Sequence, residues 1–144
     1  RMASQASVPI QLHVEDNGVE TNVELAKMCD RAGLSRSCAV HHYASANVSD
    51  TFTHGLSSSV SMAKNSVSDL LKTFRQCTTT WTMETDYLDD PNRPGAVLGP
   101  KTVPKRTQQL VGELLQIMTQ NEAEELLMHV HSIWPSRLYG EIDP

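Results

Sequence analysis

The stretch TNVELAKMCDRAGLSRSCAVHHY, residues 21–43, decides how the chain is read. Leu25, Met28, Cys29 and Ala32 fall on one face at a helical period. Thr21 and Glu24 have the spacing of a capping box, and Gly33 supplies a C-terminal stop, so a helix is predicted over 21–32. The continuation, SCAVHHY, has two readings. It is a second short helix packed across the first, or a short strand that follows a Gly turn in an α+β fold. Upstream, VPIQLHV at 8–14 alternates, with Ile10, Leu12 and Val14 on one side and Gln11 and His13 on the other, which is a strand pattern. A hairpin turning at Asn17-Gly18 competes with the helix, because it would set Ile10 against Leu25, Leu12 against Val23 and Val14 against Thr21.

Downstream, residues 44–59 are small and polar and read as a loop. Leu56, Val60, Ala63, Val67, Leu70, Leu71, Phe74 and Cys77 then form one apolar stripe at spacings of three and four, predicting a helix over 57–77. The run TTTWTM at 78–83 reads as the end of that helix or as a short strand, since its threonines are stiff at χ1. ETDYLDD at 84–90 carries four acids, and PNRPGAVLGPKTVPKR at 91–106 carries four prolines. The C-terminal part shows two apolar faces, one with Leu110, Leu114 and Met118, the other with Leu126, Leu127, Val130, Ile133 and Trp134. A break near 119–121 separates them, with Asn121 and Glu124 at capping-box spacing and Pro135 as the stop. The fold expected is α+β and helix-dominated: one or more short N-terminal strands with about four helices, near 21–32, 57–77, 104–119 and 122–134. The alternative is all-α. A single domain over 1–144 is expected, with a mobile Pro/Gly-rich linker at about 89–106.

Composition narrows the function. The 144 residues carry a net charge of −5, with 39% apolar and 20% charged residues. A chain of this length can bury a core without staples, and its acidity disfavours a broad phosphate-binding surface. Three cysteines in no Cys-x-x-Cys pair point to reduced thiols rather than a disulfide scaffold. There is no membrane-length apolar run, and RMASQASVPIQ has no signal-peptide apolar region, so an intracellular (cytoplasmic or nuclear) protein is expected.

Two short resemblances bear on activity. MCDRAGLSRSCAVHHY, residues 28–43, resembles the helix-turn-helix of TetR-type repressors. Cys29 sits where the helices cross, Gly33 at the turn, and Met28, Leu34 and Ala39 between the helices. The resemblance implies that Arg36, Ser37, His41 and His42 face a DNA major groove. HVEDNGVETNVELAKMCDRAG is similar to the first strand and helix of a response-regulator receiver, with Glu15 and Asp16 as its Mg²⁺-holding acidic pair. No apolar strand leads to an acceptor aspartate, however, and Asp50 lies in a polar stretch. Cys29, Cys38, His41 and His42 are the candidate zinc ligands, with His129 and His131 further along, but paired Cys-x₂₋₄-Cys spacing is missing. The chain has no G-x-S-x-G, HExxH, P-loop or GxGxxG, and Cys77 lies on an apolar stripe.

The function expected from the sequence is a non-enzymatic interaction or oligomerisation domain with no cofactor. It would bind another protein or a second copy of itself through Leu126, Leu127, Val130, Ile133 and Trp134. The alternatives are a helix-turn-helix DNA-binding regulator using residues 21–43 and a small zinc-binding module.

Overall fold

Residues 2–6, 8–15, 17–87, 92 and 98–140 are described by a computed structural model. Asp16 and most of the 89–97 stretch, named above in the receiver resemblance and the linker, lie outside them. The centre is a four-stranded, wholly parallel sheet: β1 (Ile10–Leu12), β2 (Ala39–Ala44), β3 (Ser57–Ser61) and β4 (Trp81–Glu84), in the order β1-β2-β3-β4. Parallel neighbours need crossovers, which here contain α2 (Val19–Ala32), α3 (Asp50–Thr53) and α4 (Ser66–Thr73). The short α1 (Met2–Ala6) precedes β1, while α5 (Thr102–Leu114), α6 (Gln120–Met128) and α7 (Trp134–Tyr139) follow β4. Strands in sequential order joined by crossovers of one hand put those helices on one face of the sheet.

This is an α/β protein with a central sheet, which corrects both the α+β expectation and its all-α alternative. The hairpin reading fails with them. Gly18, at φ 80°, opens α2 instead of closing a two-strand turn, and Ile10, Gln11 and Leu12 pair in parallel with Ala39, Val40 and His41. The helix over 21–32 forms, and Gly33 ends it in the left-handed conformation at φ 68°, where a side chain would be strained.

The expected helix over 57–77 is instead β3, α4 and a 3₁₀ turn, Phe74–Gln76. A spacing of four satisfies a helix and a strand alike, and Leu56 and Val60 fit both. The intervening SSSV decides for the strand. Val60 pairs with Met83, and Leu56, Val60 and Met62 are all buried. Further on, α5 ends at Leu114, and Thr119, not Asn121, caps α6 with Glu122 in a capping box. Pro135 does not stop the chain. It occupies the first turn of α7, after a π-helical turn at His129–Ile133.

The helix-facing side of the sheet holds the core in two parts. Leu25 and Cys29 of α2 pack on Ala39 and Leu56. The larger part joins Val60, Met62, Val67, Leu70 and Trp81 to Leu110, Leu114, Ala123 and Val130 of the later helices. Trp81 is 1% exposed, and its ring lies 5.8 Å from that of Trp134. Along the β1 edge an apolar groove of about 410 Å³ remains open between Ile10, Leu12, Leu25, Met28 and Leu34.

Candidate active site at the C-terminal edge of the sheet

The opposite side of the sheet is polar. Strand alternation sends Gln11 and His13, Val40 and His42, Ser57, Ser59 and Ser61, and Thr82 and Glu84 to that side. The register agrees: Ser59 lies beside Thr82 and Ser61 beside Glu84, and the Thr82 hydroxyl donates to Ser59 Oγ at 3.4 Å. In parallel α/β sheets, ligands gather beyond the C-terminal ends of the strands, and there four titratable side chains meet.

His13, one residue past β1, and His42 in β2 bring their Nδ1 atoms to 2.9 Å. The other nitrogen of His42, Nε2, lies 3.0 Å from Glu84 Oε2 and 3.7 Å from Asp86 Oδ1. His42 and Glu84 stand on strands separated by β3, about 10 Å apart at ordinary strand spacing. They touch because β3 presents serine between them, and the Ser59 hydroxyl also bonds the Glu84 carboxylate.

A bulge in β2 completes the arrangement. Between His41 and Ala44 the strand gains one residue against β3, and Tyr43 takes a left-handed φ of 57°. Its backbone N–H then donates to Glu84 Oε1. Asp86, just past β4, also has a positive φ, 50°. Non-glycine residues in this region cost energy and cluster at functional sites. Both stand within or beside the same four-residue cluster.

Burial pushes the Glu84 carboxyl above its ordinary value of 4.5, and nearby Asp86 adds to the rise; the Ser59 hydroxyl, His42 and the Tyr43 amide pull it back. The folded chain thus holds this proton more tightly than the unfolded chain does. Stability from that source is complete below pH 4.5 and is lost as pH rises through the higher folded value. Thermal scans without divalent cations should therefore show wild type losing Tm relative to Glu84→Gln between pH 4 and pH 7. Parallel pH profiles would show that the burial is not felt.

The sequence candidates fall elsewhere, His42 excepted. His41 points to the helix side, 1% exposed, with Nδ1 2.8 Å from Asn22 Oδ1. Cys29 is in the core, where burial pushes its thiol up. Cys38 ends a 3₁₀ turn at the entry to β2. Cys29, Cys38, His41 and His42 therefore do not converge. Among the described residues no group of three or more His, Cys, Asp or Glu side chains stands arranged to hold a metal ion. His131 lies against Thr107, 3.1 Å away, and His129 against the Glu125 carbonyl, 2.8 Å away.

The segment that would be a recognition helix is a 3₁₀ turn, Arg36–Cys38, followed by β2. The Arg36 guanidinium is committed to Asp30 through bonds of 2.9 and 2.6 Å, and to the His54 carbonyl. Ser37 is exposed, and its carbonyl accepts from Ser57. Asp50 accepts from the amide and hydroxyl of Thr78, both at 2.8 Å, in a structural clasp. Of the proposed partner face, Val130 is buried, Leu126, Leu127 and Trp134 pack against the core, and Ile133 is half-buried.

His13, Glu84 and Asp86 are the residues that the sequence reading missed. His13 was legible as the polar side of a strand, and the acids as the ETD that follows TTTWTM.

Fold and site together define a parallel-sheet α/β protein with a histidine–carboxylate cluster at its strand ends. Comparison adds one similar protein, from Methanocaldococcus jannaschii, described only as uncharacterized protein MJ1127; it is 32% identical over 110 residues. The match takes in 76% of this chain but 38% of the relative, so the chain spans well under half of that protein's length. No protein-family model and no solved structure matches the chain. No helix among the described residues is long and apolar enough to cross a membrane.

Proposed function

We propose that the chain carries the acid–base centre of a hydrolase, with His13 and His42 as the proton-handling pair and Glu84, beside Asp86, as the carboxylate that orients His42. The observation that carries this reading is the position of His42 Nε2, 3.0 Å from one carboxylate and 3.7 Å from another at the C-terminal strand ends. A carboxylate bonded to one imidazole nitrogen fixes the ring's tautomer and orientation, and the other nitrogen, Nδ1, lies 2.9 Å from His13 Nδ1. A histidine pair held in this way can take a proton from a water or hydroxyl and return it to a leaving group.

Support for the non-enzymatic contact through the C-terminal helices is weaker, because most of that apolar face is spent on this chain's own core. An intracellular location fits the three free cysteines, Cys29, Cys38 and Cys77.

The test is assay of the full chain on nitrophenyl esters and phosphate esters, with wild type beside His13→Ala and His42→Ala. Turnover by wild type is expected, and a loss of about 10²–10⁴-fold in either variant. A folded wild type that turns over neither class of ester, or variants that turn over as wild type does, would overturn the reading.

A further inference from the structure

β1 forms one edge of the sheet. Among the described residues Ile10, Gln11 and Leu12 pair on one side only, with β2, so a second row of their N–H and C=O groups faces outward. Such an edge templates pairing with another chain unless it is charged, bulged or covered. No Lys, Arg, Asp or Glu stands at positions 8–13 to discourage it. The apolar groove of about 410 Å³ runs along the same edge on the helix-bearing side, between α1 and α2. All of its lining residues are apolar, and two of them, Ile10 and Met28, are 37% and 54% exposed. In a parallel sheet a strand is ordinarily covered on both faces.

One class of ligand answers both features. A small apolar molecule fills a groove but leaves the strand edge unpaired. A polypeptide does both, with a strand against Ile10–Leu12 and a helix over the groove. The sheet itself gives the direction. It repeats one step, in which a crossover leads from each strand to a parallel neighbour and leaves helix on the same face. β2 and β3 have neighbours on both sides. The same step taken outward from β1 sets a parallel strand at its edge and a helix across Ile10, Leu12 and Met28. A second copy fits less well. Two-fold pairing would bring β1 antiparallel to its mate and set one concave groove beside another, filling neither. The Methanocaldococcus jannaschii relative has the polypeptide to supply the step, since the match takes in only 38% of it.

We propose that the β1 edge and its groove form a docking surface for a strand–helix segment, and that this segment is the counterpart of the part of the relative outside the match. Its strand runs parallel to β1, and its helix is apolar on the side that it lays into the groove. The docked strand ends beside His13, the exposed member of the histidine pair, and so brings its last residues to the border of the cluster. That consequence for catalysis rests on the acid–base reading; the docking surface does not.

The tagged full chain is co-expressed with the part of the relative outside the match. A one-to-one complex is expected in size-exclusion chromatography with light scattering. Hydrogen exchange at the Ile10–Leu12 amides should slow about tenfold or more when the complex forms. Met28→Asp sets a charge in the groove, and affinity should fall about tenfold or more. Met28 is exposed, so this variant should fold, and an unchanged thermal scan of the chain alone checks that. No complex, a complex that leaves the β1 amides unprotected, or one that Met28→Asp does not weaken would overturn the docking surface. A homodimer of the chain alone that Met28→Asp disrupts would overturn the strand–helix occupant in favour of a second copy. A complex that protects β1 yet turns over no ester would keep the docking surface and remove the acid–base reading. Ester turnover by a chain that forms no complex would do the reverse.

Discussion

On the acid–base reading proposed above, changing His42 to alanine should lower hydrolysis by about three orders of magnitude, whereas changing its neighbour His41 should leave turnover of the folded chain in place and weaken the fold. The two side chains are adjacent in sequence and on opposite faces of β2. His42 is the one residue that touches every other member of the cluster: His13 through Nδ1, and Glu84 and Asp86 through Nε2. Its removal breaks the link between His13 and the carboxylates. Loss of a group that handles a proton in the reaction costs about 10²–10⁴-fold in rate. Some stability should go with it, because the His42 side chain is 18% exposed and that of its partner Glu84 14%, so a largely buried carboxyl loses a partner.

His41→Ala strips the partner from Asn22, which is 2% exposed and bonded to the ring at 2.8 Å. An orphaned buried polar group costs about 1–3 kcal/mol, and the lost ring volume adds to that. Turnover of the folded variants, with thermal scans alongside, separates the two. If His41→Ala loses turnover while folded, or His42→Ala keeps it, the assignment of faces to functions is wrong.

That pair also shows what could and could not be seen in the sequence. Alternation in VPIQLHV put His13 on the polar side of a strand, and the strand formed, in shortened form, with His13 just beyond its end. The body of the helix over 21–32 and its Gly33 stop were equally legible, because apolar period and a glycine stop are local; its start was not, since α2 begins at Val19 behind Gly18 and not at a Thr21–Glu24 capping box. Strand order was not. Nothing local says that β1 pairs in parallel with β2 across a helix, and the Asn17-Gly18 pair argued for a hairpin. The cluster depends on that order. His13, His42, Glu84 and Asp86 are spread over more than seventy positions, and they meet because three parallel strands end at one edge. Glu84 and Asp86 were masked by company, as members of an acidic run. His42 was grouped with His41, Cys29 and Cys38 because those lie near it in sequence, although a strand sends adjacent side chains to opposite faces. The stripe from Leu56 to Cys77 misled for a different reason, since its first step of four residues is common to both periods.

Trp81→Ala should be among the most destabilising single changes in the chain, costing about 3–5 kcal/mol. Its side chain is 1% exposed and is surrounded by Leu110, Leu114, Ala123 and Val130 from three later segments. It also meets Trp134 at 5.8 Å with the rings tilted by 58°, and such aromatic pairs add about 0.5–1.5 kcal/mol beyond burial. The β4 backbone around it is held by pairing from Ser58 to Ser61, which limits how far the strand can move into the space left. At about 3–4 °C of Tm per kcal/mol for a domain of this size, a fall of about 10–20 °C is expected by calorimetry. The effect should reach the candidate site as well. Trp81 and Glu84 belong to one four-residue strand, and loosening its core side frees the carboxylate on its polar side. The hydrolysis expected of the proposed centre should thus fall in Trp81→Ala even below its transition temperature, whereas Trp134→Ala, which removes the aromatic partner but leaves Trp81 seated, should lose less of both. A Trp81→Ala protein with unchanged Tm would mean that the C-terminal helices do not pack on the sheet as described.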